Sequence, residues 1–196
     1  MPAIESRITR SDGAPEPPHR ERRLDARRNL EAIVDAARRT FSADPRASMQ
    51  QVAEAAGLHR ATVHRHFASR DDLLNTLQAR AMDESLTALR DVRPEDGPAG
   101  DALRRATRAL VETADRWQLA RYAAVPQEGP AVEEIRRRMT ELIARGQREG
   151  SVRKDLDAGV LTAVWAGVIA NAGGLLAQGM SVDESSEVIA TVVLGR

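Results

Sequence analysis

Apolar residues recur every three to four positions along most of this 196-residue chain, with charged residues between them. This spacing is typical of helices that bury one face. In the first such segment, residues 29–42, one stripe contains Leu30, Ile33, Val34 and Phe41. We find neither the alternating pattern of a strand nor an internal repeat. The sequence therefore predicts an all-α protein of about nine helices, including a short one over residues 118–125.

Residues 48–67 predict two short helices joined by a tight turn. Ser48 is a favourable N-cap for a first helix over residues 49–56. Gly57 follows, at the position where a helix commonly ends in a left-handed backbone conformation that costs glycine no steric penalty. A second helix over residues 59–67 completes the unit. Two helices joined by such a turn form a helix-turn-helix, whose second helix can enter a DNA major groove.

The second helix of this unit has one narrow apolar face. Val63 and Phe67 are four residues apart and stack on one side of the helix. The residues that point away from that side are Ala61, Thr62, His64 and Arg65. A helix of this kind can pack on one side and contact DNA on the other, although an ordinary surface pair of helices gives the same pattern.

The chain resembles the TetR family of transcriptional regulators over residues 30–74. The matching runs are AIVDAARRTF and SMQQVAEAAGLHRATVHRHFASRDDLL. The resemblance implies an N-terminal three-helix DNA-binding domain with a helix-turn-helix, followed by an α-helical ligand-binding and dimerisation domain. It also implies a homodimer that binds double-stranded operator DNA, usually as a repressor.

The resemblance and the helix pattern together suggest which side chains contact DNA. Arg60 is the first candidate for a base contact, since arginine pairs with guanine by two hydrogen bonds. His64 stands where the family usually has a tyrosine, which leaves its role open. The predicted DNA-binding residues are Ser48, Gln50, His59, Arg60, Ala61, Thr62, His64, Arg65, His66 and Arg70.

Changes in composition divide the chain into three parts. Residues 1–23 are rich in proline and charge and predict a disordered tail, which either follows DNA or remains in solvent. Residues 24–75 are expected to form the DNA-binding domain and residues 76–196 the ligand-binding and dimerisation domain. Residues 20–80 contain twelve arginines and eight acidic residues, whereas residues 81–196 contain fifteen basic and eighteen acidic residues. The basic excess thus lies on the segment that would meet phosphate.

The segment over residues 155–178 is apolar on nearly all sides, so a helix there must be buried on two sides. A second apolar stripe follows over residues 182–194. Such a pair from each of two protomers would form a four-helix bundle; a buried helix in a monomer is the alternative. The predicted interface residues are Val164, Val168, Leu175, Val188 and Val192.

The composition argues against an enzyme and against a cofactor or metal requirement. The chain has no cysteine, and its four histidines are all in the tail or the helix-turn-helix. The body therefore lacks an imidazole base, a thiol and a metal-binding pattern. We find no signal peptide and no run of eighteen apolar residues free of charge that would suggest a membrane span, so we expect a cytoplasmic protein.

The resemblance places a small-molecule pocket in the body of the protein. The residues proposed to line it are Trp117, Arg121, Tyr122, Met139, Ile143, Trp165, Ile169 and Asn171. Each of them could instead be part of the ordinary core. The leading hypothesis is a dimeric repressor that a small hydrophobic molecule releases from a near-palindromic operator. The alternatives are a DNA-binding regulator that lacks a ligand switch or activates, and an enzyme or interaction module that retains only the fold.

Overall fold

The computed structural model describes residues 19–118 and 121–195. These residues contain nine α-helices and no strand, as the periodicity predicts. In chain order the helices are α1 (His19–Ala43), α2 (Met49–Ala55), α3 (Arg60–His66), α4 (Arg70–Asp91), α5 (Ala99–Trp117), α6 (Pro130–Glu149), α7 (Ala158–Ala170), α8 (Ala172–Ala177) and α9 (Val182–Leu194).

The helices differ from the sequence predictions in three places. Helix α1 begins at His19, ten residues before the predicted start, and so includes residues 19–23 that were assigned to a disordered tail. Residues 1–18 of that tail lie outside the described part. Residues 122–125 are not helical. The apolar segment over residues 155–178 forms two helices, because the chain breaks at Asn171 between α7 and α8.

Helices α1, α2, α3 and the start of α4 form a small head with its own core. The stripe on α1 packs against α2 and α4, and it is buried as predicted at Ile33, Val34 and Phe41. Val63 and Phe67 enter the same core. Two residues from much later in the chain, Trp117 and Tyr122, also pack into it. The head is therefore closed by the end of α5 and the loop after it.

Helix α5 lies at the centre of the body and packs against α4, α6, α7, α8 and α9. Two exposed ion pairs, Arg104 with Glu187 and Arg108 with Asp183, join its outer side to α9. The turn between α4 and α5 is held by Arg145 of α6, which donates hydrogen bonds to the carbonyl oxygens of residues 94 and 95 at 2.8 and 2.6 Å. The C-terminal end of α4 is thus fixed to the body.

The segment Ala158–Ala177 is long and apolar enough to cross a membrane by length and composition alone. It contains no charged residue, so the expectation that the chain has no such run was wrong. In the fold it is not one continuous helix, because it is interrupted at Asn171, and its inner side packs into the body through Leu161 and Trp165.

Candidate nucleic-acid interface and a cavity in the body

The turn of the helix-turn-helix has the geometry that its sequence predicts. Ser48 caps α2, since its hydroxyl accepts a hydrogen bond from the Gln51 amide at 3.3 Å and the Gln51 side chain accepts one from the Ser48 amide at 2.8 Å. These reciprocal bonds form a capping box. Gly57 has φ +67°, a left-handed conformation that suits glycine. The Leu58 amide then bonds back to the Ala53 carbonyl at 3.0 Å, which fixes the direction in which α3 begins.

Helix α3 buries one side and exposes the other. Val63 is fully buried, and Phe67, at the end of the helix, is nearly so. Thr62 and His66 are half-buried. The side chains that lie fully on the solvent side are His59, Arg60, Ala61, His64 and Arg65. A short helix with this division presents a row of hydrogen-bond donors to solvent while its apolar side holds it against the head.

Two of these side chains already contact each other along the helix. The Arg60 Nε donates a hydrogen bond to His64 Nε2 at 3.2 Å. His59 takes the N-cap position of α3 but makes no side-chain capping bond, so its ring is not used by the backbone. On α2, Gln50 donates to Glu54 at 2.8 Å and is exposed. These contacts are within single helices, so none of them prevents the side chains from turning toward another molecule.

Arg70 and His66 are more buried in the head than the exposed residues of α3. The Arg70 guanidinium donates to the Pro45 carbonyl at 2.6 Å and lies 4.7 Å from the centre of the Phe41 ring. It therefore ties the start of α4 to the loop before α2. His66 has a buried Nε2 without a hydrogen-bond partner in the described residues. Both side chains were predicted to contact phosphate, and both lie partly inside the head.

The body contains an apolar cavity of about 120 Å³ between α4, α5, α6 and α7. One wall is the loop after α5, over residues 125–127. The residues that line the cavity are Ala81, Met82, Ser85, Leu110, Thr113, Ala114, Trp117, Val125, Pro126, Gln127, Val132, Ile135, Arg136, Thr162, Trp165, Ala166, Ile169, Ala170 and Gly173. Of the eight residues proposed from the sequence, the structure brings Trp117, Trp165 and Ile169 together here.

The other five proposed pocket residues lie elsewhere. Met139 and Ile143 are fully buried in the core of the body, and Tyr122 is buried in the core of the head. Asn171 is exposed and donates a hydrogen bond to the Gly167 carbonyl at 2.7 Å. Arg121 lies on an arginine-rich surface between head and body, away from the cavity. Trp165 is as buried as Met139 and Ile143, so what separates cavity residues from core residues is the packing of the helices, which helical periodicity does not show.

The polar groups around the cavity are mostly satisfied within the protein. The hydroxyls of Ser85, Thr113 and Thr162 donate to helix carbonyls one turn earlier, at 2.7–2.9 Å. The indole N–H of Trp165 donates to Thr107 at 3.0 Å, and that of Trp117 donates to Glu84 at 2.8 Å. The inner walls therefore offer apolar surface and few free donors.

Trp117 links the cavity to the head. It lines the cavity and is also part of the core of the head. The guanidinium of Arg38, on α1, lies 6.0 Å from the centre of the Trp117 ring and donates to the Arg116 carbonyl at 2.7 Å. Tyr122 donates its hydroxyl to the Trp117 carbonyl at 2.9 Å, and burial raises the pKa of this phenol to about 12. A change in the position of Trp117 would therefore alter the contacts that Arg38 of α1 makes with it.

Comparison with known proteins identifies the head. The sequence model described as bacterial regulatory proteins, tetR family, matches residues 33–77, which include the helix-turn-helix. Over these residues the chain is similar to TetR-family regulators. It is also 38% identical over 85 residues to the HTH-type transcriptional repressor LfrR of Mycolicibacterium smegmatis. That match covers 43% of this chain and 45% of the repressor, so less than half the length of that relative is matched.

Solved structures extend this likeness to the body. The crystal structure of the TetR-like regulator LfrR in complex with proflavine has a TM-score of 0.68 at 23% identity, and the match covers 85% of this chain and 94% of LfrR. A second LfrR structure has a TM-score of 0.56 at 26% identity, with 82% and 93% covered. The fatty acid degradation regulator FadR from Bacillus halodurans has a TM-score of 0.67 at 16% identity, with 85% and 95% covered. The fold is that of TetR-like regulators over most of the chain.

The outer sides of α7 and α9 carry exposed apolar residues. These two helices pack against each other, and their buried sides face α5. Val164 is 42% exposed and Val188 is 48% exposed, whereas Val168, Leu175 and Val192 of the predicted interface are half-buried. Two further exposed residues, Leu156 and Val160, lie within the predicted interface segment 155–178 but were not among the individual interface residues named; they precede Val164 at four-residue spacing.

Other residues of interest could not have been found from local pattern. Met82, on α4, and Ile135 and Arg136, on α6, line the cavity because of how these helices pack together, and nothing in the sequence near them indicates it. The contact between Arg38 and Trp117 joins positions 79 residues apart. Among the residues that the structure describes, no group of three or more His, Cys, Asp or Glu side chains is placed to hold a metal ion.

Proposed function

We propose that this chain is a dimeric TetR-family transcriptional repressor that binds a near-palindromic operator and leaves it when a small molecule fills the cavity of the body. The observation that carries the proposal is the solvent side of α3, where Arg60, His64 and Arg65 stand exposed on a helix whose other side is buried. The partial match to the repressor LfrR supports repression over activation.

DNA recognition would divide between bases and phosphates. Arg60, in the first turn of α3, is the proposed base contact, because the N-terminal end of a recognition helix reaches furthest into the major groove. Its bond to His64 is a single exposed contact at 3.2 Å and can be exchanged for a guanine edge. Arg70 is a weaker candidate for a phosphate contact, since its guanidinium already bonds to Pro45.

Dimerisation is proposed to cover the outer sides of α7 and α9. The exposed apolar residues there are Val160, Val164 and Val188, and Leu156 lies just before the start of α7. An added Cβ at Gly167 of α7 would meet no heavy atom within 4 Å apart from the backbone of its own helical turns, so a partner backbone has room to approach it. Two copies related by a two-fold axis would form a four-helix bundle and present two recognition helices to successive turns of DNA.

Helix α4 is suited to transmit a signal between the two sites. It begins beside α3 at Arg70 and ends at Asp91, and its middle residues Ala81, Met82 and Ser85 form one wall of the cavity. At 1.5 Å per residue its 22 residues span roughly 33 Å. A ligand in the cavity that favours another tilt of α4 would change the spacing of the recognition helices, and tenfold release needs about 1.4 kcal/mol of coupling.

The proposal is tested with the full chain and DNA fragments from the region upstream of its own gene. Fluorescence anisotropy should show tight, salt-dependent binding to one fragment that contains an inverted repeat, with two chains per site. Small molecules that fill the cavity should weaken this binding, and saturating operator should weaken their binding by the same factor. Binding that is equal for all fragments would contradict an operator. Ligand affinity that operator leaves unchanged would contradict the release mechanism.

A further inference from the structure

The cavity has one charged side chain in its wall, and that side chain is positive. Among the nineteen lining residues that the structure describes, Arg136 is the only charged one, and none is Asp, Glu or His. Two carboxylates contact lining residues but do not line the cavity themselves. Glu133 pairs with Arg136. Glu84 accepts from the Trp117 indole at 2.8 Å and from Arg116 Nε at 2.7 Å.

A cation would be poorly accommodated in such a cavity. Removing an ammonium group from water costs several kcal/mol unless an opposite charge or good acceptors replace its hydration. The Trp117 ring already has the guanidinium of Arg38 within 6.0 Å of its centre, which lowers its capacity to attract a second cation. Arg136 adds direct repulsion. The hydroxyls of Ser85, Thr113 and Thr162 can accept hydrogen bonds but carry no charge.

Arg136 stands at the mouth of the cavity in a defined position. Its guanidinium donates to the Gln127 carbonyl at 2.9 Å and to the carboxylate of Glu133. The side chain is 45% exposed and that of Glu133 is 60% exposed, so their ion pair lies in water and is weak. An acid group on a ligand can therefore take the place of Glu133, while the bond to Gln127 keeps the guanidinium beside the loop that closes the cavity.

We propose that the effector is an apolar molecule that ends in a single carboxylate, with its apolar part between Trp117 and Trp165 and its carboxylate on Arg136. This rests on the proposed function, since it assigns a ligand class to the same cavity. A cavity of about 120 Å³ is close in size to an engineered apolar cavity that holds one benzene ring. One ring would nearly fill it, and a short acidic arm would extend toward Arg136, whose side chain is partly exposed.

This ligand class differs from the molecule bound to a relative. The LfrR structure contains proflavine, an aromatic amine that carries a positive charge at neutral pH. For this chain the charge of the cavity wall favours the opposite sign, so we expect proflavine to bind more weakly than an acid of smaller size.

The test uses three probes that share a phenyl ring and a short chain: 3-phenylpropionate, 3-phenylpropanol and 3-phenylpropylammonium. The chain has two tryptophans, and both line the cavity, so their fluorescence reports on it directly. We expect the full-length protein to bind the acid at least fivefold more tightly than the ammonium probe, with the alcohol between them. Proflavine is measured by its own fluorescence and should bind less tightly than the acid.

Two arginine variants locate the effect. Arg136→Gln should lower the affinity for the acid at least fivefold and leave that for the alcohol within twofold. Arg137→Gln is the matched control, because Arg137 is the next residue on the same helix, pairs with Glu134 and Glu141, and does not line the cavity. It should change none of the affinities. Circular dichroism of both variants checks that they fold.

The outcomes distinguish failure of the acid assignment from failure of the proposed ligand-responsive function. Equal or tighter binding of the ammonium probe, or an acid affinity that Arg136→Gln leaves unchanged, overturns the acid assignment while the cavity stays a ligand site if the alcohol binds. Failure of all three phenyl probes and proflavine to bind overturns the assignment and also removes the small-molecule part of the proposed function. Operator binding without ligand is measured separately and is unaffected by either result.

Discussion

Replacing Val164 with aspartate is expected to separate the protomers of the proposed dimer. Val164 is 42% exposed on the outer side of α7. Full burial of a valine stabilises by about 1.5 kcal/mol, so covering the exposed part contributes about 0.6 kcal/mol per copy and about 1.2 kcal/mol for two copies. Aspartate removes this and also places two unpaired carboxylates in the contact, at several kcal/mol each.

The total loss is at least about 4 kcal/mol, which corresponds to an increase of roughly 1,000-fold in the dimer dissociation constant. Val164→Ala removes only two methyl groups per copy and should raise that constant less than tenfold. Sedimentation velocity over a range of concentrations measures both variants. Anisotropy with the operator should show that the aspartate variant loses affinity for the full site, because one helix-turn-helix contacts only one half-site.

The matched control is Leu24→Asp. Leu24 is 48% exposed, similar to Val164, but lies on α1 in the head. This variant should keep the dimer constant of the parent protein. If Val164→Asp sediments as a dimer with an unchanged constant, then α7 and α9 do not form the interface and the reasoning from exposed apolar residues fails.

Four further predictions concern the head, the body and the loop after α5. Arg60→Ala should weaken operator binding by roughly 1–3 kcal/mol and relax preference at one base position, whereas Arg70→Ala should mainly lower the melting temperature of the head. Gly146→Ala should destabilise the body by roughly 1–3 kcal/mol in a denaturant titration, because the added Cβ would stand 2.4 Å from a Val152 methyl carbon. Burial raises the pKa of Tyr122 to about 12. The folded state therefore keeps a proton that the unfolded chain releases, and stability should fall by roughly 2–3 kcal/mol between about pH 10 and 12.

Each of these has a result that would contradict it. Losses at Arg60 that are the same for every base variant of the operator would make it a phosphate contact. A Gly146→Ala protein as stable as the parent would show that Val152 moves aside at no cost. Tyr122→Phe should flatten the alkaline loss measured by denaturation at pH 9 and 11.5; an unchanged loss would place its origin in other groups.

Local features of the head could be predicted because they depend on neighbouring residues. Ser48 and Gly57 fix the start and end of α2 through bonds and backbone angles within a few positions. The early start of α1 was missed, since the prolines before His19 suggested disorder as far as residue 23. The break at Asn171 was also missed, because an apolar segment that continues on both sides gives no periodic signal for an interruption.

The cavity could be predicted only in part, and the reason is geometric. Met139 and Trp165 lie on apolar sides of their helices in the same way, yet one is sealed in the core and the other borders an open space. Which of the two occurs depends on how α6 and α7 pack around α5. Tyr122 is a clearer case: it was proposed to line a pocket in the body, but the centre of its ring lies 6.0 Å from that of Phe41 in the core of the head.

The packing of Trp117 and Tyr122 into the head limits how this chain can be recombined. A chimera joined near residue 75, with the head from this protein and the body from another regulator, would lack the two aromatic side chains that close the core of the head. The opposite chimera would keep them without the α1 surface that they cover. Exchange of heads should therefore succeed only when α5 and the loop after it are transferred together with α1. For the same reason, a substitution at Trp117 selected to admit a new ligand also changes the DNA-binding part.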